Sequence, residues 1–194
     1  MLIHIIILII MGFVKNIKRS KWKIQKGIYL RLLKETDVKQ SYIDWFNDEE
    51  VIRYSNNQFR SFSLEGQKQY VREMNKSDLA EIYGIFNFDN EHIGNVVIDN
   101  INHFHKNAQI TYVVGNKKYW NMGIGTSAVK TICKIAKTKF KLFKLYAGCA
   151  HLNVGSKKVL LKNGFQIEGI KKKHICCNGI WMDEINFGLF LKKF

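Results

Sequence analysis

The most informative stretch of the sequence is Tyr119-Trp120-Asn121-Met122-Gly123-Ile124-Gly125-Thr126. It lies between a β-favouring run over 108–114 and an amphipathic run over 123–139, so it is predicted to join a strand to a helix. Glycines at such a junction leave backbone N–H groups exposed at a helix N-terminus, where they and the helix dipole stabilise an anion such as a pyrophosphate. A tight turn without a ligand fits the same two glycines, so this motif alone is a weak signal.

A second motif follows one predicted strand further along the chain. Asn153 and Ser156 begin a short apolar run that ends in Lys162-Asn163-Gly164-Phe165. Asn153 is predicted to cap a helix, and Asn163 with Gly164 to end it. The resulting order of strand and helix puts the phosphate turn and this polar helix start on the same edge of a sheet.

The rest of the chain predicts an α/β (α+β) domain. The predicted strands are 28–33, 81–88, 92–99, 108–114, 142–149, 165–170 and 180–191. One upstream helix is expected to start at Thr36 or Asp37 and another at Ser63. The short turn at 89–91 predicts a hairpin, and 81–114 is therefore an antiparallel meander.

The two motifs resemble those of the GCN5-related N-acetyltransferase (GNAT) superfamily, most closely its RimJ/RimL-like branch. Two further stretches fit that branch, and they are Trp45-Phe46-Asn47-Asp48-Glu49-Glu50-Val51 and Asn178-Gly179-Ile180-Trp181-Met182-Asp183-Glu184. The resemblance covers about 28–191. It implies a GNAT fold, in which a mixed, mostly antiparallel central sheet is flanked by helices on both faces.

The resemblance also implies a cofactor and a reaction: acetyl-CoA as cosubstrate, no metal, and direct transfer of acetyl to a primary amine. Val113 and Val114 would pair with the pantetheine arm, and Asn153 would bond near the thioester. The remaining cofactor residues implied by the family are Trp120, Asn121, Met122, Gly123, Ile124, Gly125, Thr126 and Ser156. Backbone amides of 122–126 would hold the pyrophosphate.

The chain departs from the family at both catalytic positions. The acidic residue of the family's A-E-I-x-Y strand is Gln109, and the tyrosine of its last helix is Leu160. Ser156 is the candidate proton donor to the departing thiolate, and a plain helix-cap role is the alternative. His151 is the best-placed candidate base, since histidine accepts a proton near neutrality. A surface role for His151 stays open, and the other candidates are His103 and His105.

Charge is unevenly distributed over the chain, whose net charge is +15. Residues 1–34 carry +8, 35–116 carry −6, and 117–173 carry +13 from fourteen lysines and one acid. The basic segment is expected near the CoA phosphates, with a solvated basic face as the alternative. A nucleic-acid-binding module is disfavoured because the lysines follow helix periodicity and the middle segment is acidic.

The acceptor is expected to be a small-molecule or peptide amine. A cationic amine suits the acidic group Asp44, Asp48, Glu49 and Glu50, although the same residues are expected at any helix end. The segment 54–62 is similar to GNAT enzymes acting on nucleotide-linked amino sugars, where Arg53 and Arg60 would hold the diphosphate. A protein N-terminus is the other candidate acceptor. A catalytically weak CoA-binding sensor is the alternative function.

The chain is interpreted as one domain, 28–194, after an apolar and basic extension, 1–27. Three interpretations of the extension are open: a segment outside the fold with Met1 or Met11 as the start, an extra strand or helix, and a weak membrane contact through 1–26. The four cysteines lack metal or disulfide spacing, which favours a reduced, cytoplasmic protein. The protein is expected to be a monomer or a homodimer.

Overall fold

The computed structural model describes residues 21–177 and 179–191, which form a single eight-stranded sheet. Its strands are β1 (Trp22–Gln25), β2 (Ile28–Leu32), β3 (Glu81–Phe86), β4 (His92–Asn102), β5 (Asn107–Val114), β6 (Lys144–Ala150), β7 (Gln166–Cys177) and β8 (Ile180–Phe190). The spatial order is β1-β2-β3-β4-β5-β6-β8-β7, and the pairs are antiparallel except β5 with β6. Its helices are α1 (Gln40–Asn47), α2 (Glu49–Ile52), α3 (Leu64–Lys76), α4 (Ile124–Thr138) and α5 (Val154–Lys162).

Helices cover both faces of the sheet, as predicted. Successive residues of β4 show this, because Val96 packs in a cluster with the buried stripe of α4, whereas Val97 packs in a cluster with α1 and α3. This alternation follows from the two-residue period of a strand. The mixed, mostly antiparallel sheet with helices on each side is therefore confirmed.

The strand β1 lies inside the segment expected to be an extension. Trp22 pairs with Leu30 of β2, and the ring of Trp22 packs edge-on against Tyr83 at 5.6 Å. The folded region therefore starts upstream of Ile28. Residues 1–20, including the alternative start Met11 and most of the proposed membrane contact, lie outside the described residues. Within the described residues, no helix is long and apolar enough to span a membrane.

The first helix begins later than predicted. Thr36 and Asp37 lie in a 3-10 turn, and α1 starts at Gln40 after Lys39. Asp37 does not cap α1 because its carboxylate accepts hydrogen bonds from Arg31, at 2.6 and 2.8 Å, and from the Lys34 backbone at 2.7 Å. The ion pair with Arg31 thus occupies the carboxylate that was expected to cap the helix.

The last two strands form a longer hairpin than predicted. β7 continues to Cys177 rather than ending near Ile170, and β8 pairs with it from Ile180. Residue 178 of the fourth motif lies outside the described residues. β8 also pairs with β6, so the hairpin forms the far side of the sheet next to the parallel pair.

Candidate active site

A gap opens between the two parallel strands. β5 pairs with β6 only up to Gln109 and Tyr146, although β5 continues to Val114 and β6 to Ala150. The outer edges of both strands stay paired, since Val114 faces Gly94 of β4 and Ala150 faces Glu184 of β8. The inner edges therefore offer unpaired backbone groups to a ligand that bonds as a strand does.

The loop after β5 is fixed against the end of that strand. Trp120 donates its indole N–H to the carbonyl of Val114 at 2.6 Å, which holds the loop against the end of β5. Gly115 lies against the indole ring of Trp45, which a Cβ at that position would overlap. The Trp120 indole thus ties the loop to the end of β5.

The loop ends in an uncapped helix N-terminus. Gly123 is the N-cap of α4 with φ of 73°, a left-handed conformation that favours glycine, and no side chain caps the helix. Asn121 is also left-handed, with φ of 61°. The first intrahelical bond runs from the Ser127 amide to the Gly123 carbonyl, so the amides before it remain available as donors to an anion.

Two side chains from distant elements support this loop. Gln25 of β1 donates to the carbonyl of Met122 at 3.2 Å and to the hydroxyl of Ser127 at 3.0 Å. Asn163, at the end of α5, donates to the carbonyl of Thr126 at 3.1 Å. Gln25 was missed because it lies in the presumed extension, and nothing in the local sequence marks it.

A cluster of hydroxyl and thiol groups spans the gap. Asn153 caps α5 as predicted, accepting from the Ser156 amide at 3.0 Å. The Ser156 hydroxyl lies 2.8 Å from the hydroxyl of Tyr112 on β5, and Tyr112 also donates to the Ser156 carbonyl at 3.1 Å. The thiol of Cys149 on β6 lies close enough to the Ser156 hydroxyl for that hydroxyl to act on its pKa. The structure therefore brings Ser156 together with two residues that had no predicted role.

Burial keeps this cluster neutral. It raises the pKa of Tyr112 far above its ordinary value, against a smaller opposing effect of the Ser156 hydrogen bond. Burial likewise raises the pKa of the Cys149 thiol, and the same serine opposes it. All three groups thus carry protons at neutral pH and are able to donate hydrogen bonds to an anionic sulfur.

His151 is held on a different partner. Its Nδ1 accepts a hydrogen bond from the Asp183 amide at 3.1 Å, and its own amide donates to the Asp183 carbonyl at 2.9 Å. The side chain is exposed, and the structure ties it to β8 rather than to Ser156. A proton arriving at Nδ1 would cost the bond to Asp183.

The acidic group near α1 is largely paired. Lys117, in the loop after β5, lies 2.7 Å from Asp48 and 3.1 Å from Glu50. Asp44 accepts from Gln40 at 2.9 Å within α1. Two of the four predicted acceptor-site acids therefore neutralise a lysine of the segment expected near the CoA phosphates.

The segment after α2 and the β7-β8 hairpin pack together at the end of β6. A small apolar cluster of Ala150, Cys177 and Met182 joins them, with Tyr54 and Ile175 packed on it. All four cysteines are free, and the described residues hold no group of three or more side chains suited to a metal.

The family model of the acetyltransferase (GNAT) domain matches residues 28–166. The chain belongs to the GNAT acetyltransferase family. It is 32% identical over 171 residues to a Bacillus subtilis (strain 168) protein named Probable N-acetyltransferase YjcK, a match that covers 81% of this chain and 91% of that one. The resemblance drawn from the motifs is thereby confirmed, and the protein is an acyltransferase by family.

Solved GNAT structures share the fold. The ribosomal-protein-S5-alanine acetyltransferase from Vibrio fischeri superposes with a TM-score of 0.79 at 25% identity, over 89% of this chain and 97% of that one. Spermidine N-acetyltransferase from Vibrio cholerae, solved with CoA and spermine, gives 0.77 at 17% identity, over 86% and 97%. The first of these agrees with the RimJ/RimL-like branch that the motifs indicate.

Proposed function

We propose that this GNAT protein transfers acetyl directly from acetyl-CoA to a primary amine. The observation that carries the proposal is the unpaired inner edge of β5 leading to the uncapped N-terminus of α4. An extended, amide-containing pantetheine arm suits the first, and a pyrophosphate suits the second. The CoA bound in the Vibrio cholerae structure of the same fold supports this choice of cofactor.

The hydroxyl groups of Ser156 and Tyr112 (the hydroxyl cluster) favour protonation of the leaving sulfur. The C–S bond of the thioester breaks as the amine nitrogen forms a bond to the acetyl carbon, and the sulfur leaves as a thiolate. Ser156 would pass a proton to that sulfur, and Tyr112, whose hydroxyl lies 2.8 Å away, would hold the serine hydroxyl in place. His151 remains a candidate base, although its Nδ1 is already engaged by the Asp183 amide.

The acceptor must reach the reaction as a free amine. Deprotonation at pH 7 costs about 1.4 kcal/mol for an α-amino group near pKa 8 and about 4.6 kcal/mol for a lysine-like amine near 10.4. Three acceptor classes fit a cationic amine, namely a protein N-terminus, a nucleotide-linked amino sugar and a polyamine. Arg60 and Arg53 favour the amino sugar, and the spermine of the Vibrio cholerae enzyme supports the polyamine.

We propose a cytoplasmic location, supported by the four unpaired cysteines.

Thermal unfolding with and without acetyl-CoA, followed by thiol release with an amine panel, tests the proposal. We expect the cofactor to raise the Tm and at least one amine class to release CoA thiol. No rise would exclude the acetyl-CoA site. A rise without turnover on any amine would favour a CoA-binding sensor.

A pair of glycine variants locates the site. Gly123→Ala strains a left-handed residue at the proposed pyrophosphate site, and we expect acetyl-CoA to bind about tenfold more weakly. Gly179→Ala strains a left-handed residue of the β7-β8 turn, with φ of 77° and no atom near the added Cβ, and should leave acetyl-CoA affinity unchanged. Equal losses in both would argue against a pyrophosphate site at α4.

A further inference from the structure

We infer that Asp99 is the carboxylate that binds the acceptor ammonium and removes its proton, in place of the acid that β5 lacks at Gln109. This inference rests on the proposed acetyl transfer. It assigns the base to a neighbouring strand, at a position that no sequence motif marked.

Asp99 lies beside the closed end of the gap. It is the Cα partner of Gln109 across β4 and β5, and Gln109 is in turn the partner of Tyr146 on β6. Gln109 and Tyr146 are the last residues paired before the two strands separate. Asp99 thus belongs to a row of three residues, on three adjacent strands, at the point where the gap begins.

Its side chain lies on the face of the sheet opposite the hydroxyl cluster. Val97, two residues earlier on β4, packs with α1 and α3, so Asp99 points to that same face. Tyr112 packs instead against the cluster of α4 and bonds Ser156 of α5. An amine approaching on the α3 side would therefore meet Asp99 while the thiolate leaves toward Ser156.

The carboxylate of Asp99 has no internal partner. Its Oδ1 is buried and accepts no hydrogen bond, and no cation in the described parts of the chain forms an ion pair with it. Burial raises the pKa of Asp99, and no neighbouring charge opposes that effect. Because Asp99 is half-buried and its Oδ1 lacks a partner, its charged form costs free energy that a cationic ligand would offset.

The side chains near Asp99 are suited to the binding of a cationic ligand. Tyr70 of α3 and Tyr146 of β6 both interact with its charge, which adds to the effect of burial in raising their pKa values, so both phenols are neutral. The charge of Arg60 opposes the rise in the pKa of Tyr70, and Arg60 forms no ion pair with Asp99. A carboxylate with neutral phenols nearby and no competing cation paired to it among the described residues is suited to bind an ammonium group.

The neighbouring backbone fixes this arrangement. The register of β4 and β5 shifts directly after Asp99, where Asn100 adopts a φ of 50°. Asn100 donates to the Oε1 of Gln109 at 3.1 Å and so holds that side chain in place. A glutamate at 109 would accept the same bond, so a carboxylate fits on either strand of this pair.

The proton balance is complete with these groups. The acceptor ammonium gives one proton to the Asp99 carboxylate, and its nitrogen bonds to the thioester carbon as the C–S bond breaks. The second proton passes from nitrogen to the leaving sulfur through Ser156. Asp99 then releases its proton to water, so the products are the acetamide, CoA thiol and one proton.

The test compares kcat/KM of the whole protein and its variants with an amine that the wild type acetylates. We expect Asp99→Asn to lower kcat/KM about 100-fold, the lower range for a lost general base. Asp99→Asn with Gln109→Glu should recover most of that loss, because it restores a carboxylate across the strand pair. Asp89→Asn, in the exposed β3-β4 turn, is the matched control and should behave as wild type.

The pH profile adds a readout that a structural role would not move. Wild-type kcat/KM should fall as pH drops through the raised pKa of Asp99. That fall should persist in His151→Ala and disappear in Asp99→Asn. The Tm of Asp99→Asn at pH 7 should equal or exceed that of the wild type, because the native state no longer holds a desolvated charge.

These experiments distinguish failure of the proposed function from failure of the Asp99 assignment. If the wild type binds acetyl-CoA but acetylates no amine, the proposed function fails and this inference falls with it. If the wild type turns over and Asp99→Asn matches it, only the assignment of Asp99 is overturned. A lower Tm for Asp99→Asn, or no recovery in the double variant, would also overturn it by assigning Asp99 a structural role.

Discussion

At the scale of single residues, Ser156 combines a structural and a chemical position. Its amide is capped by Asn153 and its hydroxyl meets Tyr112, which lies 44 residues away in the chain. The sequence predicts the first contact because a capping asparagine and its target are three residues apart. It does not predict the second, since a pair that distant meets only through the parallel packing of β5 and β6.

Ser156→Ala should lower kcat by about tenfold or more, because the leaving thiolate loses a charge-assisted hydrogen bond. The Tm should change little, since Tyr112 keeps the Ser156 carbonyl as its acceptor at 3.1 Å. Steady-state kinetics with a saturating amine measures the effect. Ser41→Ala, an exposed serine of α1, is the control, and an unchanged kcat in Ser156→Ala would remove the proposed role.

At the scale of elements, the long periodic segments were predicted well. The start of α4 and the cap of α5 agree with the structure within one residue, because their signals are local. The start of α1 and the strand β1 were not predicted, because both depend on partners outside the element itself. Arg31 takes Asp37 from the helix, and β2 supplies the hydrogen bonds that make Trp22–Gln25 a strand.

The contact between α1 and the end of β5 should be sensitive to one methyl group. Gly115→Ala places a Cβ within the indole ring of Trp45, a large and buried side chain that is unable to move aside. We expect the free energy of unfolding to fall by about 1–3 kcal/mol, the usual cost of overpacking. Denaturant unfolding measures this. Gly169→Ala, where the added atom meets nothing within 4 Å, should change it by less than about 0.5 kcal/mol.

At the scale of the whole molecule, part of the charge of the basic segment is neutralised by ion pairs. Among the described residues, five of the fourteen lysines of 117–173 form ion pairs with acids, and two of them, Lys117 and Lys139, reach acids of 35–116. The segment charges predicted a basic cofactor side and an acidic amine side. Folding weakens that contrast because paired charges cancel. Charge counts along the sequence do not show which charges pair.

Stability should depend on pH through His92. This side chain is buried among the rings of Tyr42, Trp45 and Phe86, and burial lowers its pKa to about 4. The unfolded chain binds a proton near pH 6.5 and the native state does not, so stability is full above that pH and is lost as pH falls toward 4. The loss should reach about 3 kcal/mol.

Denaturant unfolding at pH 7, 5.5 and 4 measures this dependence. His92→Gln should show a shallower loss than the wild type over that range. His103→Gln, which replaces an exposed histidine, should keep the wild-type slope. An identical slope in His92→Gln would show that another group governs the acid response.

The hydrogen bond from Trp120 to the Val114 carbonyl also places a fluorescent side chain at the proposed cofactor site. Of the four tryptophans, Trp45 is buried and Trp181 is exposed. Trp22 is half-buried against Tyr83, and Trp120 is half-buried in the loop itself. The pyrophosphate of acetyl-CoA bound at that loop would change the polarity around Trp120 and leave Trp45 in its apolar surroundings. The intrinsic fluorescence of the unlabelled protein thus offers a direct signal for cofactor titration.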